Sequence, residues 1–164
     1  MSDPTSINSV NNTITYKLIA QYLKDLSYEN PHALAIVENS KRNYQGNFTF
    51  NIVPQQVNVN HYEVSLKIKS VLEFETKVFC LLEMDYAGLF YIATDDNDIK
   101  NAFLMVQAPH LIFPFARHIF STISKEGLLH LPPPEPIDFL KVYEQQKATN
   151  RLKEETSSKE ASIH

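Results

Sequence analysis

The side chains that could do chemistry in this 164-residue chain are few, and their spacing does not suit catalysis. The six histidines form no HExxH or comparable metal-ligand spacing, and Cys80, the only cysteine, lies in the apolar run KVFCLLEM. His118 has serine and threonine hydroxyls close to it in the sequence, but no carboxylate is placed to orient its imidazole ring. We therefore predict no metal site and no activated nucleophile.

Two pairs of acidic residues, Glu73 with Glu75 and Glu83 with Asp85, are the remaining candidates for acid–base catalysis. Such catalysis needs two carboxyl groups in different environments, usually within a cleft. Strand alternation instead places each pair on one flat, solvated sheet face, where the charges either serve solvation or dock a basic partner. The only three glycines are too far apart for a phosphate-binding loop. We expect a protein that is not an enzyme and that needs no cofactor.

Composition excludes several other classes of function. The net charge is −4, and the lysines and arginines are scattered, so we expect no nucleic-acid surface. No stretch approaches the roughly 18 apolar residues of a membrane-spanning helix. The N-terminal sequence MSDPTSINSVNNTI lacks the basic and apolar regions of a secretory signal. We therefore expect a cytoplasmic protein that does not insert into a membrane.

Four strands precede the helices in the predicted order of elements. Period-two alternation predicts strands over residues 14–30, 48–53, 61–75 and 77–90, the second being stopped by Pro54. Even-numbered positions carry most of the apolar side chains, and odd-numbered positions carry most of the charges. We assign residues 31–46 to a long crossover loop. Because short turns join most of these strands, we predict a four-stranded antiparallel sheet with one wet face.

Helical patterns follow over residues 96–107, 114–126 and 136–147, with Asp95 or Asp96 capping the first. Pro114 and Glu135-Pro136 suit first turns, and LHLPPPEP predicts an extended spacer. The fold class is α+β, with the helices packed on the even face of the sheet. We divide the chain into a flexible segment at 1–13, one domain at 14–148 and a disordered tail at 149–164. The apolar arc of helix 114–126 is wider than one sheet face covers, which predicts a second copy of the chain.

Three blocks of the sequence match a known family in their residues, order and spacing. They are YLKDLSYENP at residues 22–31, LLEMDYAGLFYIA at 81–93 and APHLIFPFARHIFSTISKEGLLHLPPPEPIDF at 108–139. Together they resemble the SecB family of bacterial protein-export chaperones. The third block is the most specific, because it contains P-x-x-x-F-P-[FY]-A-R and a proline spacer that ends in P-I-D-F.

The resemblance implies a function in binding, without ATP and without covalent chemistry. Members of the family hold unfolded preproteins in a translocation-competent state and deliver them to the SecA translocase motor. They assemble as homotetramers, each a dimer of dimers with the long helix at its centre. An apolar groove that recognises exposed hydrophobic side chains is physically plausible, and several weak grooves would give a long client avidity.

The resemblance also implies roles for individual residues. The positions that match the SecA docking face are Asp25, Glu29, Leu81 and Glu83, which alternation places on the odd face of their strands. Leu82, Met84 and Tyr86 match positions that affect tetramer assembly, and we add Phe115, Ile119 and Ile123 on the apolar helix as interface candidates. Candidates for the client groove are Tyr44, Phe139 and Tyr143. The crossover loop lacks the tryptophan of well-known members, and the chain contains none.

Two other functions stay open at this point. An assembly or antitoxin-associated chaperone on the same fold would use the client grooves but not the docking face, so Asp25→Lys would leave its activity unchanged. A carrier of small apolar molecules would bind its ligand beneath the helices. Release of a co-purified lipid on denaturation would favour the carrier, whereas stoichiometric binding of unfolded chains would count against it.

Overall fold

The computed structural model describes residues 14–38, 43–128 and 131–161. Four long strands form one sheet in the order β1-β4-β3-β2, and every neighbouring pair is antiparallel. The strands are β1 Thr15–Glu29, β2 Gln45–Asn58, β3 His61–Phe74 and β4 Lys77–Ala93. The predicted α+β class is confirmed, while residues 1–13 lie outside the described part of the chain.

The alternation predicted for the central strands is the basis of the sheet's two faces. The even-numbered residues of β3 from Tyr62 to Leu72 are buried, and Leu82, Met84 and Tyr86 of β4 lie beside them. This side, which we call the helix face, holds the main apolar core. The opposite side, the open face, carries Lys67 and Lys69 of β3 and Glu83 and Asp85 of β4. Burial of period-two apolar positions on one face is what holds β3 and β4 in register.

A bulge at the start of β4 overturns part of that prediction. The register shifts between Leu72 and Glu73, so that Cys80 pairs with Leu72 and Val78 with Glu73. The extra residue, Phe79, is 2% exposed, whereas Val78 is 36% exposed. We had predicted Val78 on the buried face and Phe79 on the other, which is wrong because a bulge inverts the alternation locally.

The parity predicted for β1 is also wrong over its middle. The register shifts between Leu18 and Ala20 and again between Leu23 and Asp25. Tyr22 therefore pairs with Ala87 on the open face, although its even number predicts the helix face. The second shift restores the predicted parity from Asp25 onward, which matters for the acidic residues described below.

Pro54 does not end β2. The strand continues to Asn58, and Pro54 pairs with Val64 of β3. Because β2 is an edge strand, the missing N–H of Pro54 interrupts no ladder on its far side, so proline is tolerated there. The crossover, predicted as a loop, contains the short helix α1 Ala33–Glu38.

The first helical segments after β4 form one continuous run. Helix α2 Asn97–Ala102 begins at Asp96, whose side chain accepts hydrogen bonds from the backbone N–H groups of Asp98 and Ile99, as predicted for a cap. A π-helical turn, Phe103–Gln107, leads directly into α3 Ala108–Lys125. Pro114 thus lies inside α3 rather than at its start. Its side chain is on the exposed side of the helix, where the lost backbone bond does not leave a buried group unpaired.

Helix α4 Phe139–Ala161 differs from its prediction at both ends. Glu135-Pro136 lies before the helix, in residues 131–138, which form neither helix nor strand, while residues 129–130 of the predicted spacer lie outside the described chain. Asp138 accepts a hydrogen bond from the backbone N–H of Lys141 at the helix start. The helix also continues beyond residue 148, where we had expected a disordered tail. Residues 149–161 contain three Glu, two Lys, one Arg, one Leu and one Ala, which are good helix formers. The domain boundaries themselves stay a prediction, and residues 162–164 lie outside the described chain.

Helix α3 approaches the sheet most closely over β4. Gly88 makes this possible, because a Cβ built there would lie 2.8 Å from Cγ2 of Ile112 on α3. Ile112, Ala116 and Phe120 of α3 are all completely buried against the sheet. The helix therefore depends on a missing side chain in the strand below it.

Candidate docking face and client-binding region

The four residues predicted for partner docking lie close together on the open face. Glu29 on β1 pairs with Leu81 on β4, Ser27 pairs with Glu83, and Asp25 pairs with Asp85. Paired residues on antiparallel strands point to the same side of the sheet, so the acidic side chains project from one surface. We call Asp25, Glu29, Leu81, Glu83 and Asp85 the acidic patch. Their common face is a property of the register, and their role in docking stays a prediction.

Two lysines on β3 border the acidic patch, and sequence reasoning did not assign them a role. Lys69 pairs with Glu83 across the ladder, and its Nζ lies 2.8 Å from a carboxylate oxygen of Glu83. Lys67 lies opposite Asp85, at the longer distance of 3.8 Å. The sequence did place both lysines on the charged side of β3, because they alternate with apolar residues. It also placed Glu83 and Asp85 on the next strand of the hairpin, so a β3–β4 pairing could have been considered. At the level of the acidic patch, the open face therefore changes from acidic on β1 and β4, through basic on β3, to uncharged Thr49 and Asn51 on β2.

A second charged group lies on the open face beyond the acidic patch. The Tyr22 hydroxyl donates a hydrogen bond to Glu63 on β3, and Lys24 lies 2.6 Å from the other carboxylate oxygen. The hydrogen bond from Lys24, followed by that from Tyr22, holds the pKa of Glu63 below its ordinary value. The hydrogen bond from Tyr22 to Glu63 raises the pKa of Tyr22 to about 12, and the hydrogen bond from Lys24 to Glu63 raises the pKa of Lys24. These three side chains tie the edge strand β1 to β3 across β4.

The three client-groove candidates do not lie together on one accessible surface. Phe139 is 2% exposed, and its ring packs at 6.1 Å from that of Phe50 and 5.7 Å from that of Phe113. It therefore belongs to the apolar core, and its role in the client groove stays a prediction. The first turn of α4 packs on the core through this ring.

Tyr44 and Tyr143 are both half-buried but occupy different surroundings. The Tyr44 ring packs 5.9 Å from Phe74 and 5.2 Å from Phe79, near the end of the crossover. Tyr143 lies one turn beyond Phe139 on α4, with the Lys147 ammonium 4.7 Å from the ring centroid. Both keep part of their surface accessible, so both remain candidates for client contact.

The six oligomer candidates divide into two groups. Leu82, Met84 and Tyr86 are at most 6% exposed beneath the helices, so they have no surface for direct contact with another copy. On α3, Phe115 is 48% exposed, while Ile119 and Ile123 are half-buried. The helix therefore has an apolar surface beyond the part that its own sheet covers, and Phe115 is the most exposed of its candidates.

Reactive or metal-binding groups are sparse in the part of the chain that the structure describes. No group of three or more His, Cys, Asp or Glu residues is placed to hold a metal ion among residues 14–38, 43–128 and 131–161. Cys80 is completely buried, and burial raises the pKa of its thiol, which opposes formation of a reactive thiolate. Among these residues no helix is long and apolar enough to cross a membrane.

Comparison with known proteins places this arrangement in a family. The family model described as preprotein translocase subunit SecB matches residues 9–150. The chain belongs to the SecB family. Two relatives in the family, both named protein-export protein SecB, come from Rhodopseudomonas palustris and Sphingopyxis alaskensis. They are 35% identical over 130 residues and 37% identical over 133 residues. These alignments cover 78% and 79% of this chain, and 82% and 74% of the relatives.

A solved structure shares the fold at much lower sequence identity. It is the Mycobacterium tuberculosis SecB-like chaperone Rv1957 in complex with a ChAD peptide from the Rv1956 HigA1 antitoxin. The TM-score is 0.60 at 9% identity, over 74% of this chain and 90% of that one. The likeness supports the four-stranded α+β fold of the family.

Proposed function

We propose that the chain is an ATP-independent chaperone of the cytoplasm, not an enzyme, which binds unfolded preproteins, keeps them translocation-competent and delivers them to the SecA motor. The observation that carries the proposal is the match of the SecB family model to residues 9–150. The similar relatives are named protein-export protein SecB. The fold adds a physical basis, because it presents an acidic sheet face on one side and an apolar helix surface on the other.

Docking of SecA is assigned to Asp25, Glu29, Leu81 and Glu83. Their alignment on β1 and β4 gives a compact anionic surface with one apolar side chain, which suits a basic partner segment. Asp25 and Glu29 are exposed, and Leu81 and Glu83 are half-buried, so all four keep surface available to a partner.

Client binding is assigned to the region of Tyr44 and Tyr143, with Phe139 supporting α4 from beneath. An aromatic surface near the crossover and the last helix would bind apolar side chains of many sequences without strict selectivity. We further propose a homotetramer, a dimer of dimers, in which Phe115, Ile119 and Ile123 face other copies. Several client surfaces in one assembly would then act together on a long unfolded chain.

The docking role is tested by charge reversal at the acidic patch. Glu83→Lys and Asp25→Lys should each weaken binding of purified SecA about tenfold or more, while binding of an unfolded preprotein is unchanged. Glu126→Lys, an exposed charge reversal after α3, is the matched control and should bind SecA as the wild type does. Equal SecA affinity for all four proteins would contradict the docking role and favour a chaperone that serves other partners.

A further inference from the structure

We propose that Lys69 sets the affinity of the acidic patch for its cationic partner, because it competes with that partner for Glu83. The inference rests on the proposed docking function and adds a residue that the family-derived docking positions do not include. Lys69 would weaken docking without abolishing it, so the chaperone could release its partner after delivery.

Among the described residues, Lys69 is the cation that pairs with Glu83. The Lys69 ammonium lies 2.8 Å from the Glu83 carboxylate, and the two residues are direct partners in the β3–β4 ladder. On its other side Glu83 pairs with Ser27 of β1, which carries no charge. Lys69 itself pairs with Thr49 of β2, which offers no competing carboxylate. Both partners of the ion pair thus have uncharged residues on their outer sides.

Exposure makes the pair accessible to competition. The Lys69 and Glu83 side chains are 50% and 46% exposed, so an incoming cation can reach the same carboxylate. Ion pairs exposed to this degree are weak, and a partner can displace or share them at small cost. A partner lysine or arginine that approaches Glu83 also meets the positive charge of Lys69. Both effects lower affinity in the wild type.

The neighbouring pair on the same face differs in both distance and exposure. Lys67 is 3.8 Å from Asp85, whose side chain is only 17% exposed. Asp25, in contrast, forms no ion pair among the described residues and remains open to a partner. Among the described residues, the acidic patch therefore combines two carboxylates without an ion pair, those of Asp25 and Glu29, with that of Glu83, which Lys69 pairs. Removal of that lysine should make Glu83 fully available.

The experiment measures SecA affinity for Lys69→Gln, with the wild type, Lys69→Arg and Lys141→Gln in parallel. Lys69→Gln should bind about three- to fivefold more tightly, the scale of one exposed ion pair. Lys69→Arg keeps the ion pair and should bind as the wild type does. Lys141→Gln removes the same charge from exposed α4 and should change affinity less than twofold. The gain should shrink in about 0.5 M salt, which screens exposed charges.

A Glu83→Gln background tests whether Lys69 acts through Glu83. There, Lys69→Gln should give a clearly smaller gain, because only the repulsion between Lys69 and the partner's cation is relieved, whereas a gain of the same size in both backgrounds would overturn the inference. An unchanged or weaker affinity of Lys69→Gln, alongside lost binding of Glu83→Lys, would overturn the inference alone. If Glu83→Lys binds SecA as tightly as the wild type, the docking function itself fails.

Discussion

At the scale of single residues, the best-defined polar contacts tie the edge strand β1 to the centre of the sheet. Tyr22 and Lys24 both bind Glu63, and the intervening strand has the small residue Ala87 opposite Tyr22. Glu63→Gln should lower the free energy of unfolding by about 1 kcal/mol near pH 7, because it removes the charge from both contacts. Urea denaturation of the variant, with Glu144→Gln on exposed α4 as the control, measures this loss.

The same contacts predict how that loss depends on pH. The pKa of Glu63 is lowered in the folded protein, so its contribution is present above the ordinary carboxyl pKa of about 4.3 and is lost as pH falls through the folded value. The stability difference between the wild type and Glu63→Gln should therefore narrow below about pH 4. A difference that stays constant from neutral pH into that range would show that the Glu63 charge does not stabilise the sheet.

At the scale of elements, the packing of α3 on β4 is the contact most sensitive to added volume. A Cβ at Gly88 would lie 2.7 Å from a ring carbon of Phe90 and 2.8 Å from Ile112. Gly88→Ala should therefore lower the free energy of unfolding by about 1–3 kcal/mol, the usual cost of overpacking. Gly46→Ala is the matched control, because its Cβ would lie at an ordinary 3.5 Å from Leu72. Equal stability of the two variants in chemical denaturation would contradict the close approach of α3.

Sequence patterns predicted these elements where burial imposes a strict period, as in β3. They failed where one residue alters the period, at the bulges near Phe79 and on both sides of Tyr22. They also failed at Pro54 and Pro114, whose tolerance depends on an edge position and on an exposed helix side that single-sequence patterns do not reveal.

The same limits apply to the candidate site. Alternation predicted the common face of Asp25, Glu29, Leu81 and Glu83, because two register shifts in β1 cancel before Asp25. It could not predict that Lys69 contacts Glu83, since that contact depends on the β3–β4 register. The sequence pattern likewise could not predict the burial of Phe139, because its packing partners Phe50 and Phe113 come from other elements of the fold.

At the scale of the whole molecule, the apolar surface of α3 predicts assembly. Phe115→Glu should shift the proposed homotetramer towards smaller species in sedimentation velocity, because it would place a charge in the proposed interface between copies. Leu140→Glu is the control, since Leu140 is similarly exposed, at 53%, but lies on α4. Helical circular dichroism should be unchanged in both variants. A Phe115→Glu protein that sediments as the wild type would place the contact between copies elsewhere.

The most direct test of the chaperone function is the refolding of a chemically unfolded, slow-folding preprotein diluted into buffer without nucleotide. Light scattering and recovered preprotein activity are followed together, with and without the chain. A holdase predicts that both aggregation and refolding stop at about one tetramer per preprotein, because the client is bound before it can collapse. Refolding at the same rate and yield in the presence of the chain would contradict client binding, and with it the proposed function.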